Sequence, residues 1–127
     1  MAGIIGIGID LVENARLASS LERFGEAFLK RVFREEERAY CGAMRAPAPH
    51  YAARFAAKEA VAKAFGTGIG EALGWLDIEV TRSEAGVPGI RLHGAGADLA
   101  RQRGVNQIWL SLSHTDLHAV AQVILEA

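Results

Sequence analysis

Four ionisable side chains stand in one alanine-rich stretch of the chain, Arg54 to Gly70, where apolar residues would have served a purely structural helix. They are Arg54, Lys58, Glu59 and Lys63. Far upstream, Asp10 places a lone carboxylate in an otherwise apolar segment. Two carboxylates on separate rigid elements, with lysine and arginine nearby, are what a hard cation and a phosphate-bearing substrate would require.

The same residues also have interpretations that involve no chemistry. Asp10 is of a type favoured as the cap of a turn or of a following helix. Glu59 and Lys63 are four residues apart and could form a surface ion pair worth only about 0.3–0.5 kcal/mol. The residue pattern alone leaves both interpretations open.

Two further motifs suggest chemistry but fit it poorly. Gly6-Ile-Gly8 lacks the third glycine of a dinucleotide-binding loop, whose place Leu11 holds, and the glycines lie inside a strand. Ser113 and His114 are neighbours on a predicted strand and point to opposite faces, so a catalytic triad with Asp116 does not form easily. A structural role for His114 at the end of a hairpin stays open.

The segment from Ile4 to Val12 is predicted to be a strand, because apolar residues alternate along it with others. The apolar residues on one face are Ile5, Ile7, Ile9 and Leu11. We expect that face to meet the core. Gly6, Gly8 and Asp10 share the other face, where bare backbone lets another group come close.

Residues 15–45 are predicted to form short helices, because apolar residues recur there at roughly helical spacing, and Gly25 is expected to break or bend the run. Basic residues recur at heptad spacing in the same stretch and could share one solvated face. They are Arg16, Arg23 and Lys30.

A helix is predicted from about His50 to Phe65, after a stiff lead-in at Pro47 and Pro49. An alanine at every fourth position from residue 52 to residue 64 lets another backbone pack closely. Gly66 is the expected C-cap. The following loop, 67–70, should expose backbone N–H groups suited to phosphate oxygens.

The second half is predicted to be rich in strands. The expected elements are a strand over 76–81, a turn over 84–88, a short returning strand over 90–92, a helix over 97–103 ended by Gly104, and a hairpin of 108–114 with 118–125. Together the elements predict a single domain over 1–127, of α+β class with a largely antiparallel sheet.

The composition of the chain excludes several classes of protein. Half of the residues are hydrophobic, 23% are charged and the formal net charge is -1, so we expect an ordinary folded protein and no general nucleic-acid binder. The single cysteine, Cys41, cannot form an internal disulfide and is expected to be inert. The sequence shows neither the basic start of a signal peptide nor an apolar stretch long enough for a bilayer. We therefore expect a cytoplasmic protein without membrane partners.

Three blocks together resemble the holo-[acyl-carrier-protein] synthases, the small bacterial 4′-phosphopantetheinyl transferases. The N-terminal block is Gly6-Ile-Gly-Ile-Asp-Leu-Val-Glu13, and Arg16 follows it. The central block, from Arg54 to Gly70, is long and specific, and the third is Ser111-Leu-Ser-His-Thr115. Gly86-Val-Pro88 is similar to a turn of the family. The blocks occur in the family's order and span almost the whole chain.

The resemblance implies that coenzyme A donates its 4′-phosphopantetheine arm to a serine of apo acyl carrier protein, in fatty acid biosynthesis, and that adenosine 3′,5′-bisphosphate leaves. It also implies the 4′-phosphopantetheinyl transferase fold, with a sheet packed on a long central helix. The assembly implied is a homotrimer with active sites at the subunit interfaces. Mg²⁺ is the implied cofactor.

Site residues follow from the same resemblance. Asp10 and Glu59 would bind Mg²⁺, Lys63 would sit against the phosphates, and Glu59 is the candidate base for the carrier serine. The residues implied to bind coenzyme A are Arg54, Lys63, Gly66, Gly86, Pro88, His114 and Thr115. Arg16 matches the family's docking position for the acidic carrier, and we extend that surface to Arg23 and, by spacing, to Lys30.

One stretch departs from the family. Its members often carry several basic residues just before the central helix, near the 3′-phosphate of coenzyme A. Here residues 42–49 contain only Arg45 as a charged residue. We therefore expect the contacts to that phosphate to be fewer or to come from elsewhere.

Two other functions compete with this one. The chain could be a related domain that serves one dedicated carrier within a larger synthase system, which a panel of carriers would test. It could also be a catalytically silent module that binds nucleotide or carrier protein, although the presence of Asp10, Glu59 and Lys63 together argues against that. Metal-dependent turnover would exclude the silent module.

Overall fold

Helices and antiparallel strands make up the computed structural model, which describes residues 3–127. The elements in chain order are β1 (Ile4–Glu13), α1 (Asn14–Phe24), α2 (Glu26–Val32), α3 (Glu35–Gly42), α4 (Pro47–Phe65), a 3₁₀ turn (Trp75–Asp77), β2 (Ile78–Arg82), β3 (Pro88–Leu92), α5 (Gly94–Gln102), β4 (Gln107–His114) and β5 (His118–Glu126). Strands β1, β5 and β4 form one sheet in that order, and β2 pairs with β3. Every one of these pairings is antiparallel, so the predicted α+β class is confirmed.

Helix α4 runs through the core and begins earlier than predicted. Pro47 and Pro49 belong to its first turn and are not a lead-in, because proline lacks the N–H that the start of a helix leaves unpaired in any case. The helix ends at Gly66, which has φ 77° and donates its N–H to the Lys63 carbonyl. The predicted glycine cap is therefore confirmed.

Strand β1 packs its glycine face, not its isoleucine face, against α4. A Cβ on Gly8 would lie 1.9 Å from the Ala60 carbonyl oxygen, so backbone meets backbone there. The expectation that the isoleucine face meets the core is wrong: Ile7, Ile9 and Leu11 are 59%, 58% and 65% exposed. Only a strand without side chains on its inner face can pack this closely against a row of alanines. The large side chains of β1 therefore lie on its outer face.

A fully buried ion pair joins α4 to the surrounding elements. Lys58 donates to Glu37 Oε1 at 2.7 Å, to the Val32 carbonyl at 2.8 Å and to the Trp75 carbonyl at 3.1 Å, which uses all three of its protons. The other carboxylate oxygen of Glu37 accepts the Val80 N–H at 2.8 Å. Lys58 therefore links α4 to its neighbours and has no proton left for a ligand.

The helical segment before α4 is broken where the sequence predicted. Gly25 has φ 57° and separates α1 from α2. Cys41, at the end of α3, is completely buried in the core, and burial raises the pKa of its thiol to about 11.

The second half follows the predicted order of elements. Helix α5 begins at Gly94, three residues before the prediction. Within it, Gly96 lies against Leu73 and Asp77 and leaves no room for a side chain. Strands β4 and β5 form the predicted hairpin. None of the helices in residues 3–127 combines the length and the apolar character that crossing a bilayer requires.

Candidate active site

The close packing of β1 on α4 brings Asp10 to the last turn of the helix. Lys63 donates to Asp10 Oδ1 at 2.9 Å and to the Ile9 carbonyl at 3.0 Å. Lys63 thus pairs across to the strand instead of forming the surface pair with Glu59 that the spacing allowed. Asp10 does not cap a helix, since α1 begins only after Glu13.

Glu59 shares the electrostatic environment of Asp10. Partial burial, and then the negative charge of Asp10, raise the pKa of Glu59, while Lys63 and Arg16 act in the opposite direction. A raised carboxylate pKa means that the surroundings leave part of the negative charge uncompensated. The place beside these two carboxylates therefore favours a cation.

The donor set suits magnesium. Within the described part of the chain, no cluster of three or more histidine, cysteine, aspartate or glutamate residues is arranged to hold a metal, so two carboxylates are what the site offers. Mg²⁺ is usually held in this way, by one or two carboxylates with water and phosphate oxygens in its other positions.

The glycine-rich loop after α4 does not offer the free N–H groups that the sequence suggested. Those of Thr67 and Gly68 donate to the Ala62 carbonyl, and that of Gly70 donates to the Leu73 carbonyl. The expectation is wrong for three of the four N–H groups, because the cap of the helix uses those of Thr67 and Gly68 and the turn at Leu73 uses that of Gly70. At Gly66 nothing lies within 4 Å of the position of a Cβ, so the end of the helix is open to a ligand.

A second group of predicted residues lines a cavity of about 210 Å³. The cavity brings together four residues expected to bind coenzyme A, which are Arg54, Gly86, Pro88 and His114. Tyr40, His50 and Arg82 also line it. The rings of His50 and His114 lie 6.1 Å apart, and burial, followed by the charge of Arg54, lowers the pKa of His50.

Sequence reasoning missed Tyr40, His50 and Arg82. Arg82 Nη1 donates to the Tyr40 hydroxyl at 2.5 Å, although the two residues are 42 positions apart. The one signal in the sequence was that Arg82 is a basic residue just before the turn that carries Gly86. Nothing in the sequence placed Tyr40 beside that turn.

Thr115 lies next to the cavity and not in it. Its hydroxyl accepts the N–H of His118 at 3.1 Å and that of Leu117 at 3.3 Å, which holds the turn between β4 and β5. It borders a separate depression, which His114 also lines. His114 therefore connects Thr115 with the Arg54 cavity.

The two groups of residues lie on different sides of α4. Arg54 and Glu59 are five positions apart, which is about 140° around a helix. The structure thus brings Asp10, Glu59 and Lys63 together in one place, and the residues around Arg54 and His114 in another.

Arg16 lies at a groove close to the carboxylates. Its guanidinium is 5.5 Å from the centre of the Phe55 ring, and its charge lowers the pKa of Glu59. The groove is about 190 Å³ in volume and includes Arg31 of α2. Sequence spacing had missed Arg31.

The other predicted docking residues lie outside this groove. Arg23 is in the last turn of α1, with its guanidinium 5.2 Å from the centre of the Phe24 ring. Lys30 belongs to α2, where its ammonium is 3.9 Å from Glu26. Grouping Lys30 with Arg16 by helical spacing is wrong, because the break at Gly25 interrupts the helical register.

Comparison with known proteins gives one consistent result. The sequence model of the 4′-phosphopantetheinyl transferase superfamily matches residues 6–122. The holo-[acyl-carrier-protein] synthase of Koribacter versatilis is 46% identical over 123 residues, which cover 97% of this chain and 98% of the relative. That of Anaeromyxobacter dehalogenans is 49% identical over 126 residues, which cover 97% and 96%.

Solved structures agree. The holo-[acyl-carrier-protein] synthase of Neisseria meningitidis has a TM-score of 0.92 at 34% identity and covers 98% of this chain and all 100% of its own. That of Helicobacter pylori, solved in complex with coenzyme A, has a TM-score of 0.84 at 33% identity and covers 94% and 98%. With near-complete coverage by sequence and by fold, the chain belongs to the 4′-phosphopantetheinyl transferase superfamily and, within it, to the holo-[acyl-carrier-protein] synthases, as its sequence predicted.

Proposed function

We propose that this enzyme transfers 4′-phosphopantetheine from coenzyme A to a serine hydroxyl of an apo acyl carrier protein. The observation that carries the proposal is the group of Asp10, Glu59 and Lys63, which β1 and α4 place together. The serine oxygen bonds to the β-phosphorus, the bond from that phosphorus to the bridging oxygen breaks, and adenosine 3′,5′-bisphosphate leaves. The printed names of the relatives and the coenzyme A complex of the Helicobacter pylori protein support this reaction.

Asp10 and Glu59 would hold Mg²⁺. The uncompensated negative charge at Glu59 and the two-carboxylate donor set support this assignment. The bound metal would neutralise charge that develops on the leaving phosphate.

Lys63 is assigned to the diphosphate. Two of its three protons are donated to Asp10 and to the Ile9 carbonyl, and the side chain is half exposed, so a third proton remains for a phosphate oxygen. The pair with Asp10 also fixes the direction of that carboxylate. Lys63 thus acts as a point charge beside the reacting phosphorus.

Glu59 is assigned as the base that takes the proton of the carrier serine, directly or through a water. Burial raises the pKa of this carboxyl in the metal-free protein, and with Mg²⁺ bound a carboxylate at this position would take the proton through a metal-bound water. A positioned base of this kind contributes about 10²–10⁴-fold to a rate.

A homotrimer with its active sites at the subunit interfaces explains two features of the single chain. The Asp10 group and the Arg54 cavity lie on different sides of α4, so one subunit presents two parts of a site. The outward face of β1 carries Ile7, Ile9 and Leu11, and an exposed apolar face of this kind is typical of an interface. In the proposed assembly, the cavity of one subunit faces the carboxylates of the next, and coenzyme A lies across both.

We place the reaction in fatty acid biosynthesis and in the cytoplasm. The completely buried and unpaired Cys41 suits a reducing compartment. The carrier is an acidic protein that docks on α1, where Arg16 lies near the carboxylate group and Arg23 belongs to the last turn of the helix.

Incubation with coenzyme A, Mg²⁺ and a purified apo acyl carrier protein tests the proposal. Intact-mass spectrometry of the carrier should show the gain of one phosphopantetheine. The gain should disappear with a chelator and with Asp10→Asn or Glu59→Gln. Glu71→Gln, which removes the same charge from an exposed loop, should retain wild-type activity.

Two results would count against the proposal. A folded protein that binds coenzyme A but modifies no carrier in a panel would indicate a silent binding module. Modification that persists at full rate in Glu59→Gln would remove the assigned base.

A further inference from the structure

We propose that Arg82 is a specificity residue of the coenzyme A site, which together with Arg54 receives the 3′-phosphate of the nucleotide. This inference rests on the proposed function and adds to it. Arg82 would supply the charge that the chain lacks in residues 42–49, where Arg45 is the one charged residue.

Both arginines border two cavities. One of them also contains Glu36, Glu37 and Glu79. The other, which Gly86, Pro88 and His114 line, is positively charged. Its lining contains Arg54, Arg82, His50 and His114 and no aspartate or glutamate. None of the ion pairs formed within residues 3–127 includes either arginine. Because Arg54 is only 5% exposed, its charge is buried without a counter-ion, and an anionic ligand would provide one.

Tyr40 holds the two guanidinium groups near each other. The central carbon of Arg54 lies 4.4 Å, and that of Arg82 4.6 Å, from the centre of the Tyr40 ring. Arg82 also donates to the Tyr40 hydroxyl, whereas Arg54 donates to the His50 carbonyl at 3.2 Å. The two guanidinium groups carry like charges and repel each other. A ligand with two negative charges would offset that repulsion, and its several oxygens could accept the N–H groups of both arginines.

Gly86 leaves the room that Arg82 occupies. Its φ is 83°, in the left-handed region, and a Cβ there would lie 3.1 Å from Arg82 Nη2. The turn that carries Gly86 and Pro88 thus lies against the end of the arginine side chain. This contact gives Gly86 a role in placing a guanidinium, independently of any contact of its own with the ligand.

The chemistry of coenzyme A selects the 3′-phosphate as the group that binds here. The molecule carries a diphosphate, which the proposed function assigns to Lys63, and a separate phosphomonoester on the ribose. The phosphomonoester is the remaining anionic group, and it carries close to two charges at neutral pH.

Comparison of coenzyme A with 3′-dephospho-coenzyme A as donors tests the inference. For the wild type we expect a higher kcat/KM with coenzyme A. Arg82→Ala should reduce that preference by about tenfold, because a bidentate contact to phosphate is lost. Arg82→Lys should restore part of it, since lysine keeps the charge but not the fork. Arg101→Ala, an exposed arginine of α5, should keep the wild-type ratio.

The ratio of kcat/KM for coenzyme A to that for 3′-dephospho-coenzyme A tests this inference independently of the proposed function. An unchanged ratio in Arg82→Ala, whatever happens to the absolute rates, would overturn the role of Arg82 while transfer itself stands. If no donor supports transfer, the proposed function fails, and calorimetric affinities for the two nucleotides still decide the inference. In that case, an equal loss of affinity for coenzyme A and for 3′-dephospho-coenzyme A in Arg82→Ala would overturn the role of Arg82.

Discussion

Glu59 is a residue at which catalysis and folding stability make opposite demands. Its raised pKa means that the folded state binds the proton more tightly than the unfolded chain does, so the free energy of unfolding falls as the pH rises from 4.5 through the raised value. Above that range the charged carboxylate destabilises the metal-free fold. The same charge is what the proposed metal site and base require.

We therefore expect Glu59→Gln to raise the melting temperature at pH 7 in the presence of a chelator, although it abolishes transfer. The gain should shrink toward pH 4, where the carboxyl is protonated in both states. Differential scanning calorimetry at the two pH values measures this, and Glu71→Gln serves as a control of equal charge. A lower melting temperature for Glu59→Gln at pH 7 would contradict the assigned direction of the pKa.

Arg16 permits a separate test of carrier docking. Arg16→Glu should raise the KM for carrier protein about tenfold, because it opposes an acidic partner, and should change the KM for coenzyme A far less. Initial rates with each substrate varied in turn measure the two constants. Arg101→Glu provides the same reversal of charge on α5. Equal rises in both constants for Arg16→Glu would mean that the residue does not act in docking.

Among the elements, the contact of β1 with α4 decides where the Asp10 carboxylate lies. Gly8→Ala would put a methyl group 1.9 Å from the Ala60 carbonyl oxygen, and the helix backbone cannot give way as a flexible side chain would. We expect a loss of stability at or above the upper end of the usual 1–3 kcal/mol, about 3 kcal/mol, for overpacking.

Urea unfolding of Gly8→Ala beside Gly3→Ala measures this cost, since a Cβ on Gly3 meets nothing within 4 Å. Transfer activity of the folded fraction should fall as well, because displacement of β1 moves Asp10 away from Lys63. Equal stability of the two variants would show that the strand can retreat from the helix without cost.

This contact also shows what the sequence could and could not predict. Alternation correctly identified β1 as a strand, and the alanine spacing correctly indicated a backbone packed on α4. The buried face was assigned wrongly, because hydrophobicity alone favours isoleucine over glycine as the inward residue. Close approach of two backbones, which reverses that order, depends on which strand meets which helix, and neither segment contains that information by itself.

The candidate site also has a part that the sequence predicted and a part that it did not. Asp10, Glu59 and Lys63 were named from residue type and family pattern, and the packing of β1 on α4 brings them together. The hydrogen bond between Arg82 and Tyr40 depends on the packing of β2 against α3, so no local sequence pattern predicts it. Two of the N–H groups expected to be free in the loop 67–70, those of Thr67 and Gly68, are used by the helix cap, and residue composition does not predict that competition.

For the whole molecule, the exposed face of β1 makes a prediction about assembly. Ile7→Glu should convert the proposed homotrimer into monomers, because a charge would be buried at the proposed interface without a partner. Sedimentation equilibrium measures the mass. Transfer should fall together with the trimer fraction if the two parts of each site come from different subunits.

Leu76→Glu is a suitable control, since Leu76 is also exposed but lies on the 3₁₀ turn, away from β1. It should leave the mass unchanged. A monomeric Ile7→Glu with full turnover would contradict active sites at the interfaces, and a wild-type protein that is itself monomeric would contradict the trimer.

The burial of Cys41 gives the molecule an internal reporter of its own opening. The thiol is the one cysteine of the chain, it is completely enclosed and its pKa is about 11, so a labelling reagent reaches it only when α3 separates from the core. Labelling rates of inactive variants at equal pH would therefore sort them into two kinds. Variants that label as slowly as the wild type have lost chemistry, whereas those that label faster have lost the fold that positions it.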